Sequence, residues 1–365
     1  MGRNFRMMEK SIRVIKGKVK KCVFDLITLM CAIQLISFRK RFIIFDTPSH
    51  ENIGDQAILI AEIEYLKKIS PEHKVITIPA ECVERFLKTY SNLIKNEDII
   101  LIHGGGFLGS IWKDEMYAEV IQRYLSNMVV IFPQTIFYEN THYGNHRLKV
   151  EKDIFDKENL MLFVRDQRSQ IFAEENLYQI NPQNCVLIPD IVLSYHTEIS
   201  NQSVENYMIA CLRNDKEKVS TDNFYAKLEE VAKKECYKLE LTDMCTDHSI
   251  RRKCEKYRIV ECKLKQFAKA KFVVTDRLHC MVFCALVGTP CIAMDNSSKK
   301  VKGVYEKWLK DLDYIVFCEN ENDALSKAKE WTKTDSIKVT RYSPKDLENA
   351  FEPLAKVLKV SLMNR

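Results

Sequence analysis

The sequence predicts an α/β protein made of two doubly wound domains joined by one linker. From residue 42 onwards, short apolar runs rich in Ile and Val alternate with helix-length amphipathic stretches. Near-continuous apolar strands that alternate with helices are typical of a parallel sheet covered on both faces. The polar, non-periodic segment 196–206 interrupts this alternation once, as a linker would. Two domains also suit a chain of 365 residues.

The first predicted domain spans residues 42–195 and the second spans residues 207–335. The apolar runs predict strands at 42–46, 75–79, 99–104, 129–135, 160–166 and 185–191, and then at 207–213, 237–243, 272–276, 290–295 and 314–320. The amphipathic stretches predict helices near 55–69, 81–91, 114–127, 146–157 and 168–177, and then near 222–236, 278–287, 321–333 and 344–359. We expect the terminal segment 336–365, with the last of these helices, to pack back on the body.

Residues 1–41 form a basic leader that differs in charge from the rest of the chain. They hold 11 Lys and Arg but only Glu9 and Asp25 as acids, a net charge of +9. The remaining 45 basic and 48 acidic residues give −3. Because a nucleic-acid-binding surface needs basic residues clustered on the folded domain, that class of function is disfavoured.

The apolar stretch 22–38 of the leader contains Asp25 and Gln34, and no small-residue cleavage site follows it. A secretory signal is therefore disfavoured. Three interpretations stay open: a basic amphipathic helix on an anionic membrane surface, a helix packed on the protein, or a membrane span. The first fits both the charge and the length, and it predicts a cytoplasmic protein held peripherally at the inner membrane leaflet.

Thirteen cysteines are scattered from Cys22 to Cys318 without a Cys-x-x-Cys pair. Neither a zinc ribbon nor a thioredoxin-like redox motif is therefore indicated. Many cysteines lie in apolar runs, such as Cys280 and Cys284, where a reduced thiol acts as a small buried hydrophobic group. This pattern predicts core thiols in a reducing cytosol.

The loop 46–56, after the first predicted strand, is the first candidate site. Ligands of open α/β sheets bind beyond the carboxyl ends of the strands, and this loop lies there. Gly54 permits a tight turn, and Asn52 or Asp55 can cap the following helix, whose free N–H groups suit an anion. A capped loop without a ligand is the structural alternative, but His50 in the same loop favours a site.

The second candidate site is the glycine-rich loop that begins at His103, after the third strand. Four of the ten glycines lie in residues 103–109, including Gly104, Gly105 and Gly106 in succession. Such a backbone lets a ligand approach more closely than side chains permit. The spacing is neither the dinucleotide fingerprint nor a Walker loop, so it predicts a ligand site of another kind.

Polar residues also follow other strands, at the edge of the sheet where the carboxyl ends of the strands meet; this edge is called the rim. Gln134 lies at the end of the fourth strand, Arg165 lies at the end of the fifth, and Asp190 follows the sixth. Each alone is a weak signal, because polar residues at strand ends often only cap helices. Together with the glycine loop they predict a polar binding surface.

In the second domain, Arg277 and His279 stand at the start of the apolar helix 278–287. The dipole of a helix favours anions at this end. Arg offers a planar fork for phosphate or carboxylate oxygens, and His transfers protons near neutral pH. Asp295 and Lys300 follow the next strand at the same rim, in a loop whose structural alternative is a solvated basic segment.

These motifs together resemble the polysaccharide pyruvyl transferase family, in its bacterial exopolysaccharide and capsule members. The matching elements are NIGDQA, HGGGFLG, FPQT, VRDQRS, PDI, TDRLHCMVFCALVGTPCIAMD and DNSSKKVKG, in family order from about residue 42 to about residue 310. The leader lies outside the resemblance. The resemblance implies a GT-B-like fold, in which two Rossmann-like, doubly wound domains face each other. It also implies an enzyme that moves the enolpyruvyl group of phosphoenolpyruvate onto a sugar, usually as a cyclic ketal.

The implied reaction divides the candidate residues by role. Phosphoenolpyruvate carries a phosphate and a carboxylate, and the predicted donor-binding residues are Arg277, His279, Lys300 and Asp295. The predicted catalytic residues are His279 as the leading general acid or base, Arg277 and His50, with His103 as a further candidate. The other predicted substrate-binding residues are Asn52, Asp55, His103, Gly104, Gly105, Gly106, Gln134 and Arg165. The reaction needs no metal or cofactor, and the histidines show no metal-ligand spacing.

Two other functions stay open on the sequence. A GT-B-like glycosyltransferase that uses a nucleotide sugar would show the same pattern of sheets and loops. A non-catalytic saccharide-binding protein of a synthesis complex is the other alternative. For the transferase, the expected partners are phosphoenolpyruvate, a free or lipid-linked saccharide acceptor and, through residues 1–41, an anionic membrane surface, with no nucleic acid.

Overall fold

The structure is a computed structural model that describes residues 2–37, 40–112, 116–204, 206–340 and 342–363. Within these ranges the side chains of residues 2–18, 20 and 360–363 are not described. Two parallel sheets, each with its own helices, form two domains. The predicted fold class, two Rossmann-like doubly wound domains, is confirmed.

The first domain is built on a six-stranded parallel sheet with the order β2-β1-β3-β4-β5-β6. The strands are β1 Arg41–Thr47, β2 Lys74–Pro79, β3 Ile99–Ile102, β4 Met128–Gln134, β5 Leu160–Val164 and β6 Cys185–Leu187. Every residue of β1 and β3 is buried, because helices cover both faces of the sheet. The strand order reverses between β1 and β3, which is where open α/β sheets bind ligands.

The second domain is built on a five-stranded parallel sheet with the order β11-β10-β9-β7-β8. The strands are β7 Tyr207–Cys211, β8 Lys238–Thr242, β9 Phe272–Thr275, β10 Cys291–Met294 and β11 Ile315–Cys318. The order reverses between β7 and β9. Each sheet therefore has one reversal point, and each point marks a place for a ligand.

Helices connect the strands in both domains. In the first domain they are α1 Gly2–Ser37, α2 Ile53–Ile69, α3 Ala80–Tyr90, α4 Met116–Arg123, α5 His142–Phe155 and α6 Gln167–Asn176. The others are α7 Phe224–Lys234, α8 Lys253–Ala268, α9 Leu278–Val287, α10 Lys300–Val304, α11 Glu321–Lys333 and α12 Glu352–Met363. All ten residues of α9 are buried, and Gly288 ends this helix in the left-handed conformation.

The sequence patterns predict no helix at α8, where the structure has one of 16 residues. Its buried positions recur at steps of three and four residues and include Lys256, Val260, Leu264 and Phe267. The apolar stripe is difficult to recognise because charged residues surround it and one buried position is a lysine. Helix α8 packs against α2 and so joins the two domains.

One face of helix α1 packs on the first domain. Phe24, Cys31 and Leu35 are buried on this face, which lies against α3 and β2. Arg41, at the start of β1, forms a buried ion pair with Asp98. The second half of the predicted leader is therefore part of the folded domain, which begins before the predicted boundary at residue 42.

The opposite face of α1 is apolar and exposed. The large hydrophobic side chains exposed on it are Val19, Val23, Leu26, Leu29, Met30, Ile33 and Ile36. None of the helices among the described residues combines the length and the apolar composition that crossing a bilayer requires. Packing on the protein thus accounts for only one face of α1.

The loop 48–53, between β1 and α2, is held by the second domain. Its backbone forms hydrogen bonds of 2.7–2.9 Å with the segment 244–250. The buried ammonium of Lys256 on α8 donates to the carbonyl of Pro48, to the carbonyl of Ile250 and to the side chain of Gln56. This loop is therefore fixed by contacts from both domains.

The segments outside the two sheets are also packed. Within the segment 196–206, Asn201 N donates to Val287 O of the second domain at 2.7 Å. Near the end of the chain, Tyr65 Oη on α2 donates to Phe351 O at 3.0 Å, and α12 packs against α2. The end of the chain thus returns to the first domain.

All thirteen cysteines are free thiols. Eight of them are buried, including Cys280 and Cys284 on α9. The exposed ones are Cys22, Cys236, Cys245, Cys254 and Cys262. The interpretation as core thiols therefore applies to the buried group and is wrong for the exposed five.

Candidate active site

A cleft of about 610 Å³ lies between the two domains, at the carboxyl ends of both sheets. The loops after β1, β3 and β5 line it from the first domain. The loops after β7 and β8 and the starts of α9 and α10 line it from the second. The sequence-predicted site residues in its lining are His50, Asn52, Asp55, His103, Gly104, Gly106, Arg165, Arg277, His279 and Lys300.

The loop after β1 turns into α2 at Asn52, which caps this helix. Asn52 Oδ1 accepts a hydrogen bond from Gly54 N at 2.9 Å. His50 lies at the mouth of the cleft with half of its side chain exposed, and its Nε2 is 3.5 Å from the Asp55 carboxylate. The Asn52 side-chain oxygen is thus used by the helix, whereas His50 and Asp55 face the opening.

The glycine loop after β3 runs beside the end of β4. Gly105 has a φ of 137°, and its N–H donates to Pro133 O at 3.0 Å. Gly106 lets two cations approach the backbone, since a Cβ there would lie 3.2 Å from Arg165 Nη2 and 3.7 Å from Lys300 Nζ. The loop therefore presents its backbone beside a cation from each domain.

His103 begins the glycine loop and forms a pair with Glu62 of α2. Its Nδ1 lies 2.9 Å from Glu62 Oε2, and its Nε2 is buried without a hydrogen-bond partner. The other oxygen of Glu62 accepts from Gly104 N at 2.7 Å. Burial raises the pKa of Glu62 above its ordinary value, and this effect outweighs His103 and the Gly104 N–H, which act in the opposite direction. Sequence reasoning does not identify Glu62, because an acidic residue in an amphipathic helix usually faces solvent.

His279, in the first turn of α9, forms a second pair with Asp190 of the first domain. Its Nε2 lies 3.5 Å from Asp190 Oδ2, which also accepts from Arg165 Nη1 at 2.7 Å. Burial raises the pKa of Asp190, but Arg165 and His279 outweigh burial, so the pKa lies below its ordinary value. The imidazole packs against Gly54, where a Cβ would lie only 2.3 Å from His279 Nδ1. This pair therefore joins the two domains.

Arg277, at the N-cap of α9, is held by two carboxylates. Its Nε and Nη2 donate to the two oxygens of Asp243, each at 2.7 Å, and its Nη1 donates to Asp215 at 2.8 Å. Burial lowers the pKa of Arg277, but these hydrogen bonds and charges outweigh it and keep the pKa above its ordinary value. Arg277 is thus fixed and charged, with its three nitrogens already bonded.

Arg213 and Glu217, after β7, are cleft residues that the sequence analysis does not identify. Arg213 Nη2 donates to Glu217 at 2.6 Å, and Lys300 Nζ lies 2.9 Å from both oxygens of Glu217. Arg213 Nη1 is buried without a hydrogen-bond partner, although Arg213 lines the cleft. Arg213 follows a strand of the second sheet as Arg165 follows one of the first, and this equivalent position could have marked Arg213 as a site residue.

Cations and carboxylates alternate along the second-domain wall of the cleft. In order of contact they are Lys300, Glu217, Arg213, Asp215, Arg277 and Asp243. Because each cation has a carboxylate, an anion meets fixed N–H donors rather than a large net positive charge. No group of three or more His, Cys, Asp or Glu side chains in the described part of the chain is placed to hold a metal ion.

A family model described as polysaccharide pyruvyl transferase matches residues 52–298, more than half of the chain. The chain belongs to the polysaccharide pyruvyl transferase family. The matched range contains both histidine–carboxylate pairs and the arginines of the second-domain wall. The protein is therefore a transferase, and the resemblance drawn from its motifs is confirmed.

Two relatives of this transferase match most of its length. General stress protein 30 of Bacillus subtilis is 28% identical over 350 residues, which cover 94% of this chain and 98% of that protein. Pyruvyl transferase 1 of Schizosaccharomyces pombe is 27% identical over 318 residues, which cover 80% of this chain and 77% of that protein. The similarity thus extends over both domains.

Solved structures share the fold of the transferase. An uncharacterized protein from Klebsiella pneumoniae has a TM-score of 0.53 at 20% identity, covering 82% of this chain and 98% of its own. A UDP-GlcNAc 2-epimerase from Methanocaldococcus jannaschii has a TM-score of 0.51 at 12% identity, covering 88% of this chain and 100% of its own. These similarities concern the fold, which is of the GT-B type.

Three residues predicted to bind substrate or donor in this transferase do not line the cleft. Gln134 is fully buried, and its Nε2 donates to His103 O at 2.8 Å, so it supports the histidine from behind. Gly105 is paired with the end of β4 instead. Asp295 accepts from Asn296 N at 3.0 Å and Lys302 N at 3.3 Å, so its carboxylate stabilises the start of α10. Their roles are to support neighbouring backbone.

Proposed function

We propose that this transferase moves the enolpyruvyl group of phosphoenolpyruvate onto a sugar of an exopolysaccharide or capsule precursor, forming a pyruvate ketal. One observation carries the proposal: a single cleft contains two histidines, His103 and His279, each beside a buried carboxylate, together with several arginines. Such a transfer needs groups that move protons beside a site that binds anions. The cleft combines both.

The phosphate and carboxylate of the donor bind to N–H groups that the protein itself leaves available. Arg213 Nη1 is buried without a partner, and Arg165 Nη2 lies beside Gly106. The first turn of α9 adds backbone N–H groups, since Arg277 at its N-cap has no acceptor atom with which to cap them. The carboxylates around Arg277 and Arg213 hold the two guanidinium groups in place.

The reaction conserves every atom of the donor and acceptor. A proton is added to the methylene carbon of phosphoenolpyruvate, and a sugar hydroxyl loses its proton as its oxygen bonds to the adjacent carbon. The bond between that carbon and the phosphate oxygen then breaks, and phosphate leaves. A second hydroxyl of the sugar attacks the same carbon and closes the ketal, and its proton balances the one consumed at the methylene carbon.

His279 supplies the proton to the methylene carbon. The Asp190 carboxylate lies 3.5 Å from Nε2 and sets the orientation of the imidazole. Arg165 holds Asp190 from the other side and keeps it ionised. His50 lies half exposed at the mouth of the cleft, a position that suits contact with the entering substrate better than proton transfer.

The test is incubation of the purified transferase with phosphoenolpyruvate and acceptor glycans, following phosphate release and the mass of the glycan. We expect phosphate release and a matching mass gain, both lost in His279→Ala and weakened in Arg277→Lys. Turnover only with a nucleotide sugar would instead favour a glycosyltransferase, which the shared fold also accommodates. Absence of turnover with phosphoenolpyruvate across the acceptor panel would count against the proposal.

We also propose that α1 holds the transferase on an anionic membrane surface, close to a lipid-linked acceptor. Of the fifteen exposed large hydrophobic side chains among the described residues, seven lie on α1. Eight Lys and Arg lie in residues 2–21 of the same helix. An apolar face next to concentrated positive charge is typical of helices that lie on anionic lipid.

Vesicle flotation tests the membrane proposal. The double variant Leu26→Ser and Ile33→Ser should lose binding to vesicles of phosphatidylcholine and phosphatidylglycerol, because both side chains are exposed on α1. Val150→Ser and Ile180→Ser, exposed hydrophobic residues elsewhere on the first domain, form the matched control. Equal binding by both double variants, or equal binding to vesicles without phosphatidylglycerol, would contradict the proposal.

A further inference from the structure

Helix α2 carries Glu62, a fully buried carboxylate of the first domain. Its hydrogen bonds connect it to the glycine loop, with Oε2 at 2.9 Å from His103 Nδ1 and Oε1 accepting from Gly104 N at 2.7 Å. No Lys or Arg among the described residues forms an ion pair with it. Because burying a carboxylate without a cation is costly, its presence at this position needs an explanation.

We propose that Glu62 is a positioning residue that fixes the proton of His103 on Nδ1, so that His103 Nε2 is the base for the acceptor hydroxyl. This inference rests on the proposed pyruvyl transfer and names the residue that makes His103 a base. Glu62 itself does not touch the substrate, since it lies behind the histidine and does not line the cleft.

The hydrogen-bond pattern selects the tautomer of His103. An ionised carboxylate accepts hydrogen bonds and donates none, so the ring nitrogen that faces Glu62 must carry the proton. Nδ1 faces Glu62, which leaves Nε2 with a lone pair. Burial is the larger effect and holds the pKa of Glu62 above its ordinary value, while the bonds from His103 and Gly104 N limit this rise by favouring the ionised form. The assignment of the proton to Nδ1 therefore rests on the geometry of the ionised pair, which the measurement below tests.

The surroundings of His103 hold its free nitrogen in the cleft. Nε2 is buried and lacks a hydrogen-bond partner, and the residue is only 3% exposed while it lines the cleft. Gln134 Nε2 donates to His103 O at 2.8 Å, which fixes the backbone of the histidine as well. A buried acceptor without a partner at a cleft wall is the arrangement that a substrate hydroxyl would satisfy.

The reaction needs a base that is separate from His279. His279 gives a proton to the methylene carbon, whereas a base must remove a proton from each of the two sugar hydroxyls. His103 Nε2 takes the proton of the first hydroxyl as the new C–O bond forms, and it passes this proton to the departing phosphate. It then takes the proton of the second hydroxyl, which returns through solvent to His279 and restores both histidines for the next cycle.

The tautomer is measured on the full chain labelled with ¹⁵N in its histidines. The signals of His103 are assigned by their loss in His103→Gln. We expect the wild-type protein to carry the proton on Nδ1 and to show an unprotonated Nε2. In Glu62→Gln the amide oxygen still accepts from Gly104 N while the amide NH₂ donates to Nδ1, so the proton should move to Nε2.

The same variant is then tested in turnover. Glu62→Gln should lower kcat for phosphate release about 100-fold and change both KM values less than about twofold. Glu62→Asp keeps a carboxylate and should recover part of kcat. Glu64→Gln makes the same chemical change on the same helix at a residue outside the cleft lining, and it should leave kcat unchanged.

A wild-type His103 that carries its proton on Nε2 would overturn the proposal. So would a Glu62→Gln variant that keeps both the wild-type tautomer and the wild-type kcat, or a loss of kcat in Glu64→Gln equal to that in Glu62→Gln. The NMR measurement needs no substrate. If the wild-type protein shows the expected tautomer but no turnover with phosphoenolpyruvate, pyruvyl transfer fails while the positioning of His103 by Glu62 stands.

Discussion

The two histidine–carboxylate pairs of the cleft are built differently. His103 and Glu62 both belong to the first domain, and 2.9 Å separate Nδ1 from the carboxylate oxygen. His279 comes from the second domain and Asp190 from the first, and 3.5 Å separate their nearest atoms. The first pair therefore needs only one folded domain, whereas the second forms only where the two domains are in contact.

The contacts that join the domains lie next to the second pair. The ring of His279 packs directly on Gly54, at the start of α2. The preceding loop, 48–53, is bonded to the segment 244–250 and to Lys256 of the second domain. One group for proton transfer is therefore complete within a domain, while the other depends on the domain junction. Changes at the junction should therefore affect His279 and spare His103.

The largest effect is expected from His279→Ala. Removing the proton donor should reduce transfer about 10³-fold. The fold should remain intact, because His279 borders the cleft and the rest of α9 keeps its buried apolar contacts. Phosphate release measures the first expectation, and circular dichroism with thermal unfolding measures the second. A variant with full activity would remove His279 from the reaction.

Gly54→Ala separates the two pairs without changing either histidine. The added Cβ would lie 2.3 Å from His279 Nδ1, so the imidazole must move away from its position beside Asp190. We expect kcat to fall about 100-fold. The ¹⁵N signals of His103 serve as the internal control and should not change. Altered His103 signals would show that the two pairs are not independent.

Arg213→Lys and Arg277→Lys act on the anion site instead of on the pairs. Arg213→Lys removes the unpartnered Nη1 and should raise the KM for phosphoenolpyruvate about tenfold, or about 1.4 kcal/mol. Arg277→Lys should raise it less, about threefold, because the loss is indirect: Asp243 and Asp215 lose a planar clamp and become available to repel the donor.

Steady-state kinetics at saturating acceptor compare these two arginine variants. Both should keep the His103 tautomer, since neither arginine contacts the first pair. An unchanged KM in Arg277→Lys would argue against any role of Arg277 at the anion site. A larger effect in Arg277→Lys than in Arg213→Lys would reverse their assigned order.

The parts of the site that depend on local chain geometry could be predicted from the sequence. The glycine loop, Arg165 and the start of α9 each follow an apolar strand, and the carboxyl ends of parallel strands meet at one rim. The two sheets were predictable for the same reason, because strands buried on both faces read as continuous runs of Val and Ile.

The buried charged residues that hold the site in place could not be predicted, because their burial depends on contacts with distant parts of the chain. Glu62 and Lys256 lie on amphipathic helices where charged residues usually face solvent, yet the packing of α2 and α8 buries both. Asp295 and Arg165 look equivalent in sequence, since each is polar and follows a strand. The structure separates them: Arg165 bonds to Asp190 at the cleft, whereas Asp295 bonds to backbone behind it.

The smallest expected effect on the histidine–carboxylate pairs comes from Lys256, at the domain junction. Burial lowers the pKa of Lys256 to about 8, from an ordinary value of 10.5 in the unfolded chain. Between these two values the unfolded chain binds more protons than the native protein, so the free energy of unfolding should rise with pH in this window. The contribution of Lys256 to this rise, over the full window, is about 3 kcal/mol.

Lys256→Met should abolish this contribution, so the difference in unfolding free energy between wild type and variant should grow as pH rises from 8 to 10.5. Denaturant unfolding at a series of pH values measures it, and Lys265→Met, an exposed lysine on the same helix, is the matched control. Lys256 bonds to the loop before Gly54, and Gly54 packs against His279. The variant should therefore displace His279 but not His103, and it should lower kcat about 3-fold to 10-fold. A shift of the His103 signals in this variant would show that the junction also reaches the first pair, and the contrast between the two pairs would fail.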